Sequence, residues 1–207
     1  MNRNRIAALV AVCLLVATAA QAGLILDQFQ EEQNGTAGAG GSLWFAQTFT
    51  AGMSGPLARI EIGNTSGGWW LPESPPVVEI WNTTAGQPSP TVLGSVTSPD
   101  LIPRDGWLSV DFLPQGIGLT ADQMYAIVLY PKDSAGYATV GVRWNPDSYG
   151  PGALWHWNVD EGWQIAASFG GGGDMQFRTY VVPVPGAAML GMIGMGTAGW
   201  LKRRRAL

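Results

Sequence analysis

Residues 107–112 read WLSVDF, and this short stretch indicates the class of fold. Its even-numbered positions, Leu108, Val110 and Phe112, are apolar, whereas its odd-numbered positions are tryptophan, serine and aspartate. Successive side chains of a β-strand point to opposite faces, so this alternation is typical of a strand with one buried side and one side in water. The stretch therefore predicts a sheet that covers a core on one face.

Similar short apolar runs lie on both sides of this stretch, separated by Gly, Pro, Asn and Asp. The runs that we predict as strands are 24–29, 43–50, 57–62, 77–81, 91–96, 124–130, 138–144, 154–157 and 175–182. No sustained helical period appears, and a helical turn is expected only near 120–123. This pattern predicts an all-β fold over residues 23–182, an antiparallel β-sandwich of jelly-roll-like form.

The composition agrees with that class. The 29 glycines, 14 prolines and 13% charged residues argue against a helical bundle, and 46% hydrophobic content argues against disorder. The single cysteine, Cys13, lies in the first apolar run, so the body of the chain has no disulfide, thiolate metal site or thiol nucleophile.

Charge is distributed unevenly along the chain. All 15 acidic residues fall between Asp27 and Asp174, whereas only five of the 11 basic residues lie in the domain 23–182. An acidic body repels the phosphate backbone, which disfavours nucleic acid as a partner. The remaining basic residues sit at the two ends, where they indicate membrane topology.

The N-terminus has the three parts of a secretion signal. A basic start is followed by the 15-residue run 6–20 and a small-x-small site at Ala20 and Ala22. Such a run spans about 22 Å as a helix, short of the roughly 30 Å of a bilayer core, which favours a cleaved signal over an anchor. We therefore expect signal peptidase to remove residues 1–22.

The C-terminus forms a second targeting segment, residues 183–207. Pro183, Val184, Pro185 and Gly186 are followed by an uncharged stretch to Leu201 and then by the basic cluster Lys202, Arg203, Arg204 and Arg205. Cations on one flank stay in the cytoplasm while the apolar stretch enters the inner membrane as a short transmembrane helix. Its length, about 24 Å, is marginal for a permanent span and favours a sorting signal.

This order of a short Pro-x-Pro motif, an apolar segment and a terminal arginine cluster resembles the PEP-CTERM sorting signal of Gram-negative bacteria. The resemblance covers about the last 25 residues. It implies recognition by an exosortase-type membrane enzyme and delivery to the cell surface or extracellular matrix. Val184 stands where that motif usually has glutamate, and whether the tail is cut stays open.

The middle of the chain has a second, looser resemblance. AQTFTAG at 46–52, LARIEI at 57–62 and DMQFRTYV at 174–181 are similar to the opening and closing strands of bacterial extracellular jelly-roll modules. The likeness implies a sandwich like that of a carbohydrate-binding module and names no ligand.

No catalytic constellation is evident. The one histidine, His156, lies between two tryptophans in a predicted strand, where we expect a partly exposed surface residue and not a general base. A glycosidase would need only two carboxylates, but no acidic pair is marked by its setting. We expect no cofactor. Calcium is the metal that suits such a chain best, with Asp27 and Asp174, near the first and last strands, as weak candidate ligands.

The nine tryptophans of the domain are its most suggestive residues, because indole rings can stack on the apolar faces of sugars. We expect Trp44, Trp81 and Trp107 to pack in the core. The candidates for ligand stacking are Trp69, Trp70, Trp155, Trp157 and Trp163.

The sequence thus predicts an exported, non-catalytic protein of the cell surface or matrix that binds extracellular polysaccharide. Two alternatives stay open, a secreted carbohydrate-active hydrolase and a purely structural coat or matrix component.

Overall fold

The computed structural model describes residues 23–65, 71–144, 148–166 and 173–183. Within them the chain forms strands joined by short turns and a single-turn 3₁₀ helix at Leu113–Gln115. The strands are β1 Ile25–Gln30, β2 Gly35–Gly40, β3 Trp44–Thr50, β4 Gly55–Asn64, β5 Pro76–Thr84, β6 Gln87–Thr97, β7 Gly106–Asp111, β8 Gly118–Leu119, β9 Met124–Pro131, β10 Tyr137–Trp144, β11 Leu154–Asn158, β12 Gly162–Ile165, β13 Gly173–Met175 and β14 Phe177–Val181.

All the paired strands named above are antiparallel and form sheets on two sides of one core. One side is a six-stranded sheet in the order β12-β11-β3-β9-β5-β6. The other side combines the sheet β1-β14-β4-β7, extended by β8, with the three-stranded sheet β13-β10-β2. These two sheets meet at Gln176, whose N–H donates to Gly141 of β10 while its carbonyl accepts from Gly63 of β4. The described architecture is an all-β sandwich.

The core is filled by side chains that alternate inward along these strands, as the sequence predicted. In β7, Leu108 and Val110 are buried together with the following Phe112, whereas Ser109 and Asp111 are exposed. Phe49, Phe177 and Leu154 are among the largest side chains that are fully enclosed. Burial of this apolar surface stabilises a domain that has no disulfide.

The first and last strands of the domain are neighbours. β1 pairs with β14 so that Ile25 lies opposite Val181, and the two ends of the domain therefore leave at the same end of the sandwich. We call this the exit end. The β3–β4 and β8–β9 turns lie there as well, since the Gly52 N–H donates to Asp27 and the Asp122 N–H donates to Ala51. The opposite end, which carries Trp44, Pro131 and Tyr137, is the far end.

Three strands, β2, β8 and β12, escaped prediction, and the single strand predicted at 175–182 is divided at Gln176 into β13 and β14, which belong to different sheets. The expected helical turn at 120–123 is a plain turn, with the Gln123 N–H bonded to the Thr120 carbonyl. The predicted signal and transmembrane helices fall at 1–22 and 184–207, outside the described residues. Within the described part of the chain, no helix has the length and apolar character needed to cross a bilayer.

Candidate ligand-binding surface

Three aromatic rings form a row on the outer face of the six-stranded sheet, toward the far end. Trp157 of β11 pairs with Trp44 of β3, and the register of β3 with β9 brings Tyr130 to the other side of Trp44. The Trp44 ring lies 4.6 Å from that of Tyr130 and 4.9 Å from that of Trp157, centroid to centroid. The strand register thus gathers residues from three separate stretches of sequence.

The inclination of these rings decides what they can offer to a ligand. The Trp44 and Tyr130 planes differ by 22°, so the two rings are stacked face to face. Rings stacked along a row across a sheet stand on edge, with their edges toward solvent and their faces toward each other. A sugar therefore meets mainly ring edges along the row. Trp157, the last of the three rings, is partly exposed and is tilted by 35° from Trp44.

A carboxylate ties this row to a second aromatic group. Glu79 of β5 accepts from the Tyr130 hydroxyl at 2.9 Å and from the Trp81 indole N–H at 2.7 Å. Burial, reinforced by the hydrogen bond and charge of Glu79, raises the pKa of Tyr130 to about 12. The phenol consequently stays protonated and remains a donor throughout the physiological range.

The β11–β12 hairpin curls over the same face. β12 pairs only with β11 among the described strands, yet the ring of its Trp163 lies edge-on to that of Trp81 on β5, at 5.9 Å. The Trp163 carbonyl also accepts from Gln87 at the β5–β6 turn. Trp155, on β11 of this hairpin, packs against a second apolar cluster, and its buried indole N–H has no hydrogen-bond partner within the described residues. The hairpin covers this smaller apolar cluster.

The predicted roles of the tryptophans are therefore mixed. Trp155, Trp157 and Trp163 do share one surface, and all three are partly buried there. Trp81 is buried as expected, although in the second cluster. Trp44 is only partly buried and belongs to the aromatic row, which the sequence did not suggest. Trp69 and Trp70 lie outside the described residues.

His156 differs from its prediction. The sequence suggested a partly exposed residue, but its side chain is only 5% exposed, because it points inward from β11 while its two tryptophan neighbours point outward. Burial lowers the pKa of His156, since the charged imidazolium would lose its hydration. The imidazole is therefore an interior group and not part of the outer surface.

The two candidate metal ligands are accounted for differently. Asp174 is fully buried, with Oδ2 accepting from the backbone N–H groups of Ser148 and Tyr149 and Oδ1 accepting from Gln47. Asp27 occupies the bulge of β1, where Oδ2 accepts from the Gly52 N–H, and burial raises its pKa. Within the described ranges, no group of three His, Cys, Asp or Glu side chains is suited to a metal.

Tyr149 lies close to both of these carboxylates. Burial raises the pKa of its phenol, and the charges of Asp27 and Asp174 add to the effect. The hydroxyl donates to the Gln28 side chain at 2.8 Å, and the ring meets that of Phe177 edge-on at 5.1 Å. These contacts hold the Tyr149 side chain in place inside the sandwich.

The outer face of the opposite sheet carries a charged ladder that the sequence analysis missed. Arg178 lies 3.9 Å above the ring of Trp107 and pairs with Glu61 at 3.1 Å and with Glu31 at 2.7 Å. The Tyr180 hydroxyl donates to the same Glu61. Trp107 is thus a partly exposed platform for an arginine and not a core residue. The available signal was the alternation of LARIEI and FRTYV, whose polar positions share one face.

An apolar cavity of about 200 Å³ is lined by residues of β2, β3 and β10 and by Leu43. Its larger lining side chains are Leu43, Phe45, Tyr137 and Trp144. Leu43 and Phe45 flank Trp44 in the chain, but none of the three rings of the aromatic row lines the cavity.

Of the other predicted site residues, one is described by the structure and the rest lie outside the described residues. Pro183 is described and follows β14 by two residues. Ala20, Ala22, Val184, Pro185, Gly186 and the cluster Lys202–Arg205 lie outside the described residues.

Comparison with known proteins adds no relative. No protein-family model matches the chain, and no curated protein shows significant similarity to it. The assignment of function therefore depends on the residues and their geometry.

Proposed function

We propose that this chain is an exported, non-catalytic protein of the cell surface or extracellular matrix, whose jelly-roll-like domain binds polysaccharide at the end of the aromatic row. The observation that carries the proposal is the row itself, whose last ring, Trp157, is partly exposed and tilted by 35° from Trp44. Aromatic rings at a domain surface are costly to leave in water, and an indole face with polar neighbours suits the apolar face of a pyranose.

The polar groups that a glycan needs are close by. Asn158 follows Trp157 directly, and its side chain holds the β11–β12 turn by accepting from the N–H groups of Asp160 and Glu161. Its amide donates to the Glu161 carboxylate at 3.2 Å, so the turn that follows Trp157 holds an ordered carboxylate and amide. Hydroxyl groups of a sugar can bond to such groups while its ring rests on Trp157.

Export and sorting enter the proposal through the two ends of the sequence. The predicted signal 1–22 delivers the chain to signal peptidase, and the tail 183–207 delivers it to an exosortase-type enzyme in the inner membrane. The acidic body agrees with a domain that functions outside the cytoplasm and away from nucleic acid. Because the ends leave at the exit end, the aromatic row points away from the membrane.

A purely structural role is the second candidate, and the ring stacking favours it. The faces of the rings are occupied by stacking on each other, and the β11–β12 hairpin packs on Trp81. Both features are expected of a cluster that stabilises the domain. In that case the row would hold the domain together in a coat or matrix without binding any sugar.

Affinity electrophoresis in gels that contain a panel of neutral and acidic polysaccharides separates the two candidates. Trp157→Leu keeps apolar bulk but removes the ring, and we expect it to weaken binding about tenfold, equivalent to about 1.4 kcal/mol. Trp107→Leu, on the opposite sheet, is the matched control and should leave binding unchanged.

If no polysaccharide retards the wild-type protein and Trp157→Leu has a lower melting temperature, the aromatic row has a structural role. Release of reducing sugars by the wild-type protein would contradict the non-catalytic assignment and favour the hydrolase. Mass spectrometry of the protein recovered from cells tests the ends independently, since the proposal requires a mature chain that begins at Gly23.

A further inference from the structure

The exit end of the sandwich is connected to the apolar part of the tail by only a few residues. Val181 is the last residue of β14, and Gly186 begins the uncharged stretch that runs to Leu201. Five residues span at most about 18 Å when fully extended. Paired strands lie about 5 Å apart, so Ile25, opposite Val181, is under nearly the same restraint.

The same end of the molecule exposes large apolar side chains. Leu24, Ile25 and Leu26 follow one another at the start of β1 and are 41%, 42% and 39% exposed. Leu113, which is 50% exposed, follows the end of β7, and the pairing of Asp111 with Arg59 brings it to the same end of the sandwich, on the opposite edge of the sheet β1-β14-β4-β7. Three consecutive exposed aliphatic residues on an edge strand are unusual for a surface that meets only water.

We infer that Leu24, Ile25 and Leu26, together with Leu113 across the same end of the sandwich, form a contact surface for the lipid bilayer, which they touch while the tail is inserted in the inner membrane. The inference rests on the proposed insertion of the tail and goes beyond it. The tail alone would leave the domain free to tumble on a flexible tether, whereas an apolar edge at the exit end fixes its orientation.

The occupant follows from the restraint. If residues 202–205 stay in the cytoplasm, the lipid surface on the outer side of the membrane lies at Gly186 while the tail is inserted. The short connection from Val181 to Gly186 therefore brings this edge next to lipid. A strand of eight residues such as β9 is about 26 Å long, which keeps the far end well away from lipid. The far end thus supplies a control within the same molecule.

Lipid-borne nitroxide quenching tests this contact in the mature chain, residues 23–207, which keeps the tail but not the predicted signal. Cys13 lies in that signal and residues 23–207 contain no cysteine, so Leu26→Cys and Leu101→Cys carry one nitrobenzoxadiazole label apiece. Leu101 is 42% exposed and lies at the far end, since Ser98 bonds to Pro76 there, which makes it a matched position. The tail-bearing chains are reconstituted into vesicles of phosphatidylethanolamine and phosphatidylglycerol with headgroup-level nitroxide lipids.

Flotation of the vesicles is measured first. If the chain floats and the label at position 26 is quenched several-fold more than the label at position 101, the inference holds. If the chain floats and the two labels are quenched equally, the contact is wrong although the tail inserts. If the two labels are quenched equally and unlabelled Leu26→Cys forms cross-links between copies, the apolar edge contacts a second copy of the chain and not lipid. Failure to float would overturn the proposed insertion and the contact with it.

Discussion

The carboxylate of Asp174 provides a strong test of how this domain is held together without cysteine. Asp174→Asn preserves the shape of the side chain but replaces one acceptor oxygen by a donor. In the structure Oδ2 accepts from the N–H groups of Ser148 at 3.0 Å and Tyr149 at 2.9 Å, and Oδ1 accepts from the Gln47 amide at 3.1 Å. If the asparagine oxygen keeps the two backbone donors, its NH₂ group faces the NH₂ group of Gln47.

Gln47 cannot resolve this conflict by turning over. Its own Oε1 accepts from the Met175 N–H at 2.7 Å, and a flipped amide would place a donor there instead. A hydrogen bond to a charged group contributes about 1.5–3 kcal/mol, and an unsatisfied buried donor costs about 1–3 kcal/mol. Since removal of a buried charge offsets part of this loss, we expect a net destabilisation of about 3 kcal/mol.

Thermal unfolding followed by circular dichroism measures the effect. For a domain of this size 1 kcal/mol lowers the melting temperature by about 2–4 °C, so Asp174→Asn should lower it by about 6–12 °C. Asp105→Asn is the control, because Asp105 is exposed, and it should change the unfolding free energy by less than about 0.5 kcal/mol. If the two variants melt within about 2 °C of each other, the three hydrogen bonds do not carry the stability assigned to them.

Three further predictions follow from single contacts. Gly152→Ala places a Cβ against a backbone carbonyl of β3 and should cost about 2–3 kcal/mol in urea unfolding, whereas Gly150→Ala, where no atom lies within 4 Å, should cost little. Glu79→Gln should lower the pKa of Tyr130 from about 12 toward its ordinary value, visible in an alkaline titration of phenolate absorbance; an unchanged titration would show that burial alone sets it. Because burial lowers the pKa of His156, stability is complete above its ordinary value of 6.5 and is lost as the pH falls, so His156→Gln should flatten the fall in unfolding free energy between about pH 7 and pH 5.

The strands were the part of the fold that could be predicted best from the sequence. Runs such as WLSVDF encode both the strand and its inward face, because alternation is a local property. β2 reads GTAGAG and has no such alternation, since it uses small residues to lie against large ones on β10. A Cβ at Gly35 would come within 2.7 Å of the Trp144 ring, a constraint that only the folded pair reveals.

The candidate surface was less predictable for the same reason. Trp155 and Trp157 were expected to share a face, and they do, but the stacking of Trp44 between Tyr130 and Trp157 depends on the register of three strands. Asp174 and His156 likewise have no local mark of burial. Their setting arises from long-range pairing, which composition and spacing do not encode.

The position of β14 has a mechanical consequence. The strand lies between β1 and β4 and is hydrogen-bonded to both, and the chain beyond Pro183 continues from its end. A pull on that chain acts along the strand axis and loads the bonds on both sides in shear, so they must fail together and not one after another. If the tail tethers the domain to the membrane, as we propose, the tether is attached at a strand that resists extraction under load.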